Sequence, residues 1–188
     1  MIWYTADLHL NHANIIRFCD RPFVSARHMD DVLVANLAAK VTPEDDLWVV
    51  GDFAFGKGPG ALPYVRSRFE QIPGRKHLVT GNHDARWVRE DLPWASVSPL
   101  AEIADGGRAV VLCHYPMITW NGARRGAPHL FGHVHNNWMG SRHSVNVGVD
   151  VWDYGPVTLQ DALRRAARLP VNRHWEDVEP REAGDEER

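Results

Sequence analysis

The stretch KHLVTGNHDARWVRE, from Lys76 to Glu90, contains in succession an apolar segment, a polar loop and a segment of helical character. KHLV predicts a short buried strand, and ARWVRE predicts a short helix. Between them an amide, an imidazole and a carboxylate stand on consecutive residues, Asn82, His83 and Asp84. A turn alone accounts for this composition, because Gly and Asn tolerate left-handed backbone angles and Asp readily bonds its own backbone.

The same succession of strand, polar loop and often a helix recurs along the chain. It is typical of an α/β domain, in which a site lies at the carboxyl ends of the strands. Strands are predicted within MIWYTA, LWVVGDFAFG, KHLVTGNHD, RAVVLCHYP, PHLFGHVHN, SVNVGVDVW and GPVTL. Helices are predicted at residues 13–18, 25–40, about 62–71, 85–93 and 159–169, with Ser25 as the N-cap of the second.

Length and composition favour one globular domain, since the chain has 188 residues of which 44% are hydrophobic. The net charge of −3 provides no overall basic character for nucleic-acid binding. We expect a single domain at residues 1–170 and a charged, loosely ordered tail at 171–188. The start of the chain lacks a secretory signal and no apolar run is long enough to cross a membrane, which predicts a cytoplasmic protein.

The two cysteines, Cys19 and Cys113, are too few for a disulfide scaffold, although their number leaves a single bridge between them open. Cys113 and His114 are adjacent on a predicted strand, so their side chains face opposite ways and do not form a nucleophilic Cys–His pair. We interpret both cysteines as packing residues.

Side chains that can bind metal ions follow each of five predicted strands. They are Asp7 and His9, then Asp52, then Asn82, His83 and Asp84, then His114, and finally His133 and His135. Residues two apart on a strand point to one face, which predicts that each D-x-H or H-x-H pair converges on an ion. Each residue alone is compatible with a turn, a cap or a core histidine, but five such strand ends together favour a metal centre. The oxygen and imidazole donors, without thiolate, suit Mn²⁺, Fe or Zn²⁺.

The ordered motifs D-x-H, G-D, G-N-H-D, H and G-H-x-H resemble those of the calcineurin-like metallophosphoesterases. They stand here as Asp7–His9, Gly51–Asp52, Gly81–Asp84, His114 and Gly132–His135, and none is missing. The resemblance covers residues 1 to about 163. HANIIRFCDRPF and NVGVDVWDYGPVTL are similar to a small bacterial and phage branch of that family. The resemblance implies an α/β fold, a four-layer αββα sandwich of two mixed β-sheets flanked by helices.

The resemblance also implies a centre of two divalent ions, with Mn²⁺ expected and Fe, Zn²⁺ or Ni²⁺ as alternatives. Asp52 would bridge the ions; Asp7, His9 and His135 would complete one site, and Asn82, His114 and His133 the other. A hydroxide that bridges the ions would attack phosphorus, and His83 would act as the acid or stabilise the transition state. Asp84 would orient His83 through a hydrogen bond.

Further residues are predicted to contact an anionic substrate: His12, Arg17, Arg21 and Arg86. The expected partner is a small phosphorylated substrate or a nucleotide, and no membrane. A chain without room for a large cap suggests an open site that favours phosphodiesters and admits monoesters. One alternative is a nuclease acting on nucleic-acid ends, which would need a basic, aromatic groove. Another is an inactive scaffold of the same fold that binds proteins. The oligomeric state stays open.

Overall fold

The fold contains two four-stranded β-sheets, and the structure, a computed structural model, describes residues 1–178. The first sheet has the order β1-β2-β3-β4 with all neighbours parallel, and consists of β1 (Ile2–Thr5), β2 (Asp46–Val50), β3 (Arg75–Val79) and β4 (Ser96–Ser98). The second has the order β5-β6-β7-β8, and consists of β5 (Leu100–Asp105), β6 (Arg108–Cys113), β7 (His129–Phe131) and β8 (Ser144–Asn146). Only β5 and β6 pair antiparallel among these named strands. The predicted α/β architecture of two sheets with flanking helices is confirmed, except that only the second sheet is mixed and the first is wholly parallel.

Within residues 1–178, six α-helices connect or flank the strands. They are α1 (Ala13–Phe18), α2 (Ala26–Ala38), α3 (Ala61–Gln71), α4 (Arg86–Glu90), α5 (Leu159–Ala166) and α6 (Arg173–Val178). Ser25 caps α2 as predicted, because its hydroxyl accepts the His28 N–H at 3.2 Å. Thr158 and Asp161 form a capping box that begins α5. None of the helices within residues 1–178 is both long and apolar enough to cross a bilayer.

The core has one layer on each face of the first sheet, because successive side chains of β2 point into two different apolar clusters. Leu47 and Val49 pack into the cluster that contains the buried faces of α2 and α3. Trp48 and Val50 point the other way, into a cluster shared with the second sheet and α5. Because both faces of this strand are covered, its sequence is continuously apolar rather than alternating. Each fully buried Val or Leu stabilises the fold by about 1.5–3 kcal/mol.

The first sequence prediction that needs correction concerns strands that were missed. β4 and β5 lie in the segment WASVSPLAEIAD, for which no strand is predicted. The whole of β4 is exposed or half-buried, and in β5 only the half-buried Ala101 and Ile103 pack against the core. Such strands expose polar side chains on one face, so they lack the continuous apolar run of the inner strands.

The second correction concerns the predicted closing strands. In SVNVGVDVW the strand ends at Asn146, and a 3₁₀ turn follows at Val149–Val151. In GPVTL only Val157 pairs, as an isolated antiparallel bridge with Tyr4, before Thr158 begins α5. The N-cap of α5, Thr158, therefore lies within the segment that composition alone assigns to a strand.

The division into a domain at 1–170 and a tail at 171–188 stays a prediction. Within the segment expected to be loosely ordered, the structure describes the short helix α6. Residues 179–188 lie outside the described part of the chain.

Candidate metal centre

The loops that follow β1, β2, β3, β6 and β7 are joined by direct hydrogen bonds. The Asp7 N–H donates to the Gly51 carbonyl at 3.0 Å, and the Gly132 N–H donates to the His114 carbonyl at 3.0 Å. Across the two sheets, the His133 N–H lies 3.0 Å from both oxygens of the Asp7 carboxylate. The motif loops of both sheets therefore meet at one edge of the sandwich.

Asp7, His9 and His135 form the first candidate group, with one donor atom from each lying within 4.8 Å of the others. The His9 and His135 rings stack with their centroids 5.2 Å apart. His9 is 1% exposed, and among residues 1–178 its Nε2 has no hydrogen-bond partner. A buried polar atom without a partner needs an explanation, and a bound cation would supply the missing partner. The residues present therefore fit a divalent metal ion.

A second group surrounds His114, whose Nε2 faces two oxygen atoms. Its Nδ1 lies 3.0 Å from the Val50 carbonyl, so we assign the neutral-ring proton to Nδ1. Nε2 then presents a lone pair toward Asn82 Oδ1 at 3.1 Å and Asp52 Oδ2 at 3.4 Å. Neutral imidazole, amide oxygen and carboxylate are all metal ligands, so a cation bound between these three atoms would satisfy each of them. The His133 ring lies beside His114, with the ring centroids 5.1 Å apart.

Burial and mutual charge shift the pKa values of these groups in opposite directions. Burial raises the pKa of Asp7 to about 6 and lowers that of His9 well below its usual value. Burial alone would raise the pKa of Asp52, but its hydrogen bond to His114 and the charges of His114 and His9 lower it to about 2. Burial also opposes the rise in the pKa of His114, which the Asp52 hydrogen bond and charge cause. The ionised Asp52 is thus the group around which the imidazoles are arranged.

The backbone at this edge is unusual, because many of the predicted ligand residues adopt the left-handed conformation. Positive φ values occur at Asp7 (57°), His9 (51°), Asp52 (55°), His133 (71°) and His135 (50°). Residues other than glycine rarely adopt this conformation, and it costs of order 1–3 kcal/mol at each residue. Such strain is typical of functional sites.

This backbone corrects the reason given for convergence, although the residues do come together. The pairs Asp7/His9 and His133/His135 do not lie on strands, since β1 ends at Thr5 and β7 ends at Phe131. Left-handed turns direct these side chains, rather than the alternation of a strand.

Glycines in the motifs provide space beside the carboxylates. A Cβ on Gly132 or Gly148 would lie 2.7 or 2.6 Å from Asp7 Oδ2, closer than real contacts allow. A Cβ on Gly81 would lie 2.2 Å from Asp52 Oδ1. The glycine of G-N-H-D is therefore needed for close approach.

The chain therefore combines a two-sheet α/β architecture with five ordered motifs that resemble those of the calcineurin-like phosphoesterases. A solved structure of a protein of unknown function from Aquifex aeolicus has a TM-score of 0.69 and 25% identity, and the match covers 86% of this chain and 96% of that one. Solved structures of an archaeal phosphodiesterase (13% identity) and a Pseudomonas putida nuclease (20%) are more distant, with TM-scores of 0.45 and 0.44. The matches cover 78% and 71% of this chain and 81% and 61% of theirs.

Sequence relatives of this chain occur in Methanocaldococcus jannaschii and in a mycobacterial phage. An uncharacterized protein from Methanocaldococcus jannaschii is 29% identical over 184 residues, covering 94% of this chain and 97% of the relative. The Gene 66 protein of Mycobacterium phage L5 is also 29% identical over 184 residues, with coverages of 80% and 86%. No protein-family model matches the sequence. The predicted resemblance to a phage-type branch is confirmed by the second relative.

Asp84 has contacts that differ from those expected. In place of a bond to the His83 ring, its carboxylate accepts the backbone N–H groups of Asp52 and Gly81 at 2.9 and 2.8 Å, and of Phe53 at 2.8 Å. Burial raises the pKa of Asp84 to about 6. Asp84 thus ties the loop after β3 to the loop after β2.

His83 and His12, two further predicted site residues, lie next to the first group. His83 is exposed, its ring centroid lies 5.3 Å from that of His9, and its backbone N–H donates to Asp52 Oδ1 at 2.8 Å. His12 is buried, with its Nδ1 3.3 Å from the Nδ1 of His9. Both rings are within reach of a ligand at the centre.

The three arginines expected at the substrate have different surroundings. Arg17 is exposed, with its guanidinium 5.3 Å from the Phe18 ring centroid. Arg86 is exposed and pairs with Glu90 at 2.7 Å. Arg21 is 4% exposed and lies behind the first motif loop, where it donates to the Asp7 and Leu8 carbonyls at 2.7 and 3.2 Å. Helical and loop positions in the sequence do not reveal these directions.

Asp150 is a residue of the centre that the sequence analysis missed. Its carboxylate pairs with Arg21 through two bonds of 2.7 and 2.8 Å, and it accepts the Nδ1–H of His135 at 2.8 Å. This bond assigns the proton of His135 to Nδ1 and leaves Nε2 available as a ligand atom. Although burial opposes it, the Asp150 bond raises the pKa of His135 to about 10. The only sequence signal was the position of Asp150 within NVGVDVW, the segment similar to the phage branch.

Proposed function

We propose that this chain is a metal-dependent phosphodiesterase whose centre holds two divalent ions. The observation that carries the proposal is the approach of His114 Nε2 to Asn82 Oδ1 at 3.1 Å and to Asp52 Oδ2 at 3.4 Å, which brings three potential metal-ligand atoms together. The buried, unpartnered Nε2 of His9 marks a second place for a cation, 3.4 Å from the same Asp52 oxygen.

Asp52 would be shared by both ions, because His9 and His114 each approach its Oδ2 at 3.4 Å. One ion would be held with Asp7, His9 and His135, and the other with Asn82, His114 and His133. Bound divalent ions supply charge neutralisation at the phosphate oxygens and a more acidic water. The expected metal is Mn²⁺, with Fe, Zn²⁺ or Ni²⁺ as alternatives.

The chain's own residues would orient the ester and supply its proton. His83 is exposed at the rim, so its ring can reach the leaving oxygen of a bound ester and donate a proton there. Asp84 holds the backbone on either side of this reaction site by accepting three N–H groups. Asp150 fixes the ring orientation of His135.

The nuclease alternative receives no support from the three predicted arginines. Arg21 forms an ion pair with Asp150, Arg86 forms one with Glu90, and the Arg17 guanidinium lies over the Phe18 ring. A nuclease groove would need basic side chains along the phosphate backbone. We therefore propose a small phosphodiester as the substrate rather than a polynucleotide.

Metal dependence tests the proposed function directly. The full chain, freed of metal by a chelator, should not hydrolyse bis(p-nitrophenyl) phosphate, and added Mn²⁺ should restore turnover as about two ions bind. Equilibrium dialysis gives the number of ions, and p-nitrophenol release gives the rate. Equal turnover with and without metal, or no turnover of any diester with Mn²⁺, Fe²⁺, Zn²⁺ and Ni²⁺ tested separately, would contradict the proposal.

Replacing Asp150 by Asn should weaken Mn²⁺ binding by about 10- to 100-fold, the usual effect of removing a carboxylate that orients a metal-binding His. The amide no longer accepts the His135 proton as a carboxylate does, and it leaves Arg21 buried without its counter-charge. Calorimetric titration with Mn²⁺ measures the effect.

Asp153→Asn is the matched control, because Asp153 is exposed three residues further along the chain. Since breaking a buried ion pair also destabilises the fold by about 3–5 kcal/mol, near-ultraviolet circular dichroism must first show that Asp150→Asn is folded. A folded Asp150→Asn protein that binds Mn²⁺ as tightly as the control would refute the role given to Asp150.

A further inference from the structure

A recess of about 480 Å³ opens directly beside the candidate metal centre. Its walls include His9, His83 and His135, so the recess is continuous with the residues proposed to handle the phosphate. The remaining lining is mostly apolar or aromatic and includes Ile15, Phe18, Phe55 and His12. The volume lies in the range of small-molecule sites, about 300–1,000 Å³.

Phe55 provides an aromatic wall that is already held in position. Its N–H donates to the Leu10 carbonyl at 2.9 Å, and its carbonyl accepts the Asn11 side-chain amide at 3.2 Å. Its ring stacks on His12 at 4.2 Å between centroids and meets His83 edge-on at 5.9 Å. A wall that is ordered before binding loses little conformational freedom when a ligand arrives.

Phe18 forms another part of the recess and is 63% exposed. A large apolar side chain that remains exposed at the edge of a site gains burial when a ligand covers it. Ile15, which also lines the recess, is already buried.

The side chains of the lining identify the kind of group that fits. Among the residues that line the recess, all within the described chain, there is no Lys, Arg, Asp or Glu. A flat neutral group would meet the rings of Phe18 and Phe55 there. The side-chain amides of Asn14 and Asn137 offer donors and acceptors to the polar edge of such a group.

We propose that this recess binds the nucleobase of a mononucleotide-type phosphoester, with its phosphate directed to the metal centre. The placement of the phosphate rests on the proposed function, whereas recognition of the base rests on Phe55, Phe18 and the side-chain amides of Asn14 and Asn137. One base stacked on an aromatic side chain is worth about 1–3 kcal/mol, which corresponds to roughly 5- to 150-fold in affinity.

Equilibrium binding to the full, Mn²⁺-loaded chain separates the two parts of the proposal. Adenosine 5′-monophosphate and ribose 5-phosphate share the phosphate and the sugar and differ in the base. We expect the nucleotide to bind at least 5-fold more tightly. Phe55→Leu, which keeps an apolar side chain but removes the ring, should bring this ratio close to one while the affinity for ribose 5-phosphate is unchanged.

Two further variants keep the result decisive. Phe18→Leu changes an exposed side chain and should also lower the ratio. Tyr115→Leu is the control, because Tyr115 is an exposed aromatic residue beside His133 that does not line the recess, and it should leave the ratio as in the wild type.

Equal affinities for nucleotide and ribose 5-phosphate would overturn the nucleobase proposal, and so would a ratio that falls with Tyr115→Leu but not with Phe55→Leu. Failure of the proposed function has a different signature, since ribose 5-phosphate would then bind no better with Mn²⁺ than without it.

Discussion

Replacing Asp52 by Asn should lower turnover of bis(p-nitrophenyl) phosphate by about 10³-fold, the upper end of what one preorganised electrostatic group contributes. The amide keeps the size of the side chain but removes the negative charge toward which His9 and His114 both point at 3.4 Å. Because this oxygen approaches one imidazole of each candidate group, we also expect fewer bound Mn²⁺ ions per chain. Steady-state kinetics at saturating Mn²⁺ and equilibrium dialysis measure the two effects.

Asp91→Asn is the matched control for this substitution. It makes the same chemical change at an exposed residue just after α4, and it should leave both turnover and ion number unchanged. If Asp52→Asn retained wild-type turnover and bound two ions, Asp52 would not be the shared ligand. A fall in both quantities in the control as well would point to a general loss of structure instead.

Much of the architecture could be predicted because the relevant signals are local. The helix at residues 13–18 has the predicted bounds, and the N-cap at Ser25 lies where its hydroxyl predicts. The strands before the motifs are apolar on both faces, so their positions follow from composition. The exposed strands β4 and β5 were missed because one face of each carries polar or small residues that resemble a loop.

The residues that form the site could be predicted more fully than their arrangement. Strand alternation was expected to bring Asp7 to His9 and His133 to His135, but positive φ angles do so. Left-handed angles at Asp and His are rare, and the sequence carries no signal for them at these positions. They persist where surrounding contacts impose them, such as the bonds from the His133 N–H to the Asp7 carboxylate.

Residues that support the site from behind were the least predictable. Arg21 and Asp150 are 129 positions apart in sequence, and nothing in either segment indicates that they form a buried pair. An arginine near one of the motif loops has the same composition signal whether it faces the candidate site or the interior. The direction depends on the path of α1 and the following turn, which only the folded chain determines.

The strained backbone of the candidate centre is bonded by two buried side chains. Five predicted ligand residues hold unfavourable φ angles, and together these could oppose folding by several kcal/mol. The Asp84 carboxylate, with three backbone N–H bonds, and the Arg21 guanidinium, with two backbone carbonyls, lie where this backbone must be held. Buried charges that bond to backbone in this way fix loops that apolar packing alone would leave free to relax.

Replacing His83 by Ala should lower turnover by roughly 10²–10⁴-fold, the usual contribution of a general acid, with Mn²⁺ binding unchanged. The substitution removes only the exposed ring, because the bond to Asp52 Oδ1 comes from the backbone N–H, which alanine retains. This separates His83 from Asp52, whose replacement should reduce turnover and ion number together. His28→Ala, which removes an exposed histidine near the start of α2, is the control and should be fully active.

An acid matters most when the leaving group is poor, so the loss of turnover in His83→Ala should be larger for diphenyl phosphate than for bis(p-nitrophenyl) phosphate. An equal loss with both esters would contradict proton donation and assign His83 to charge stabilisation, and no loss with either would remove it from the reaction.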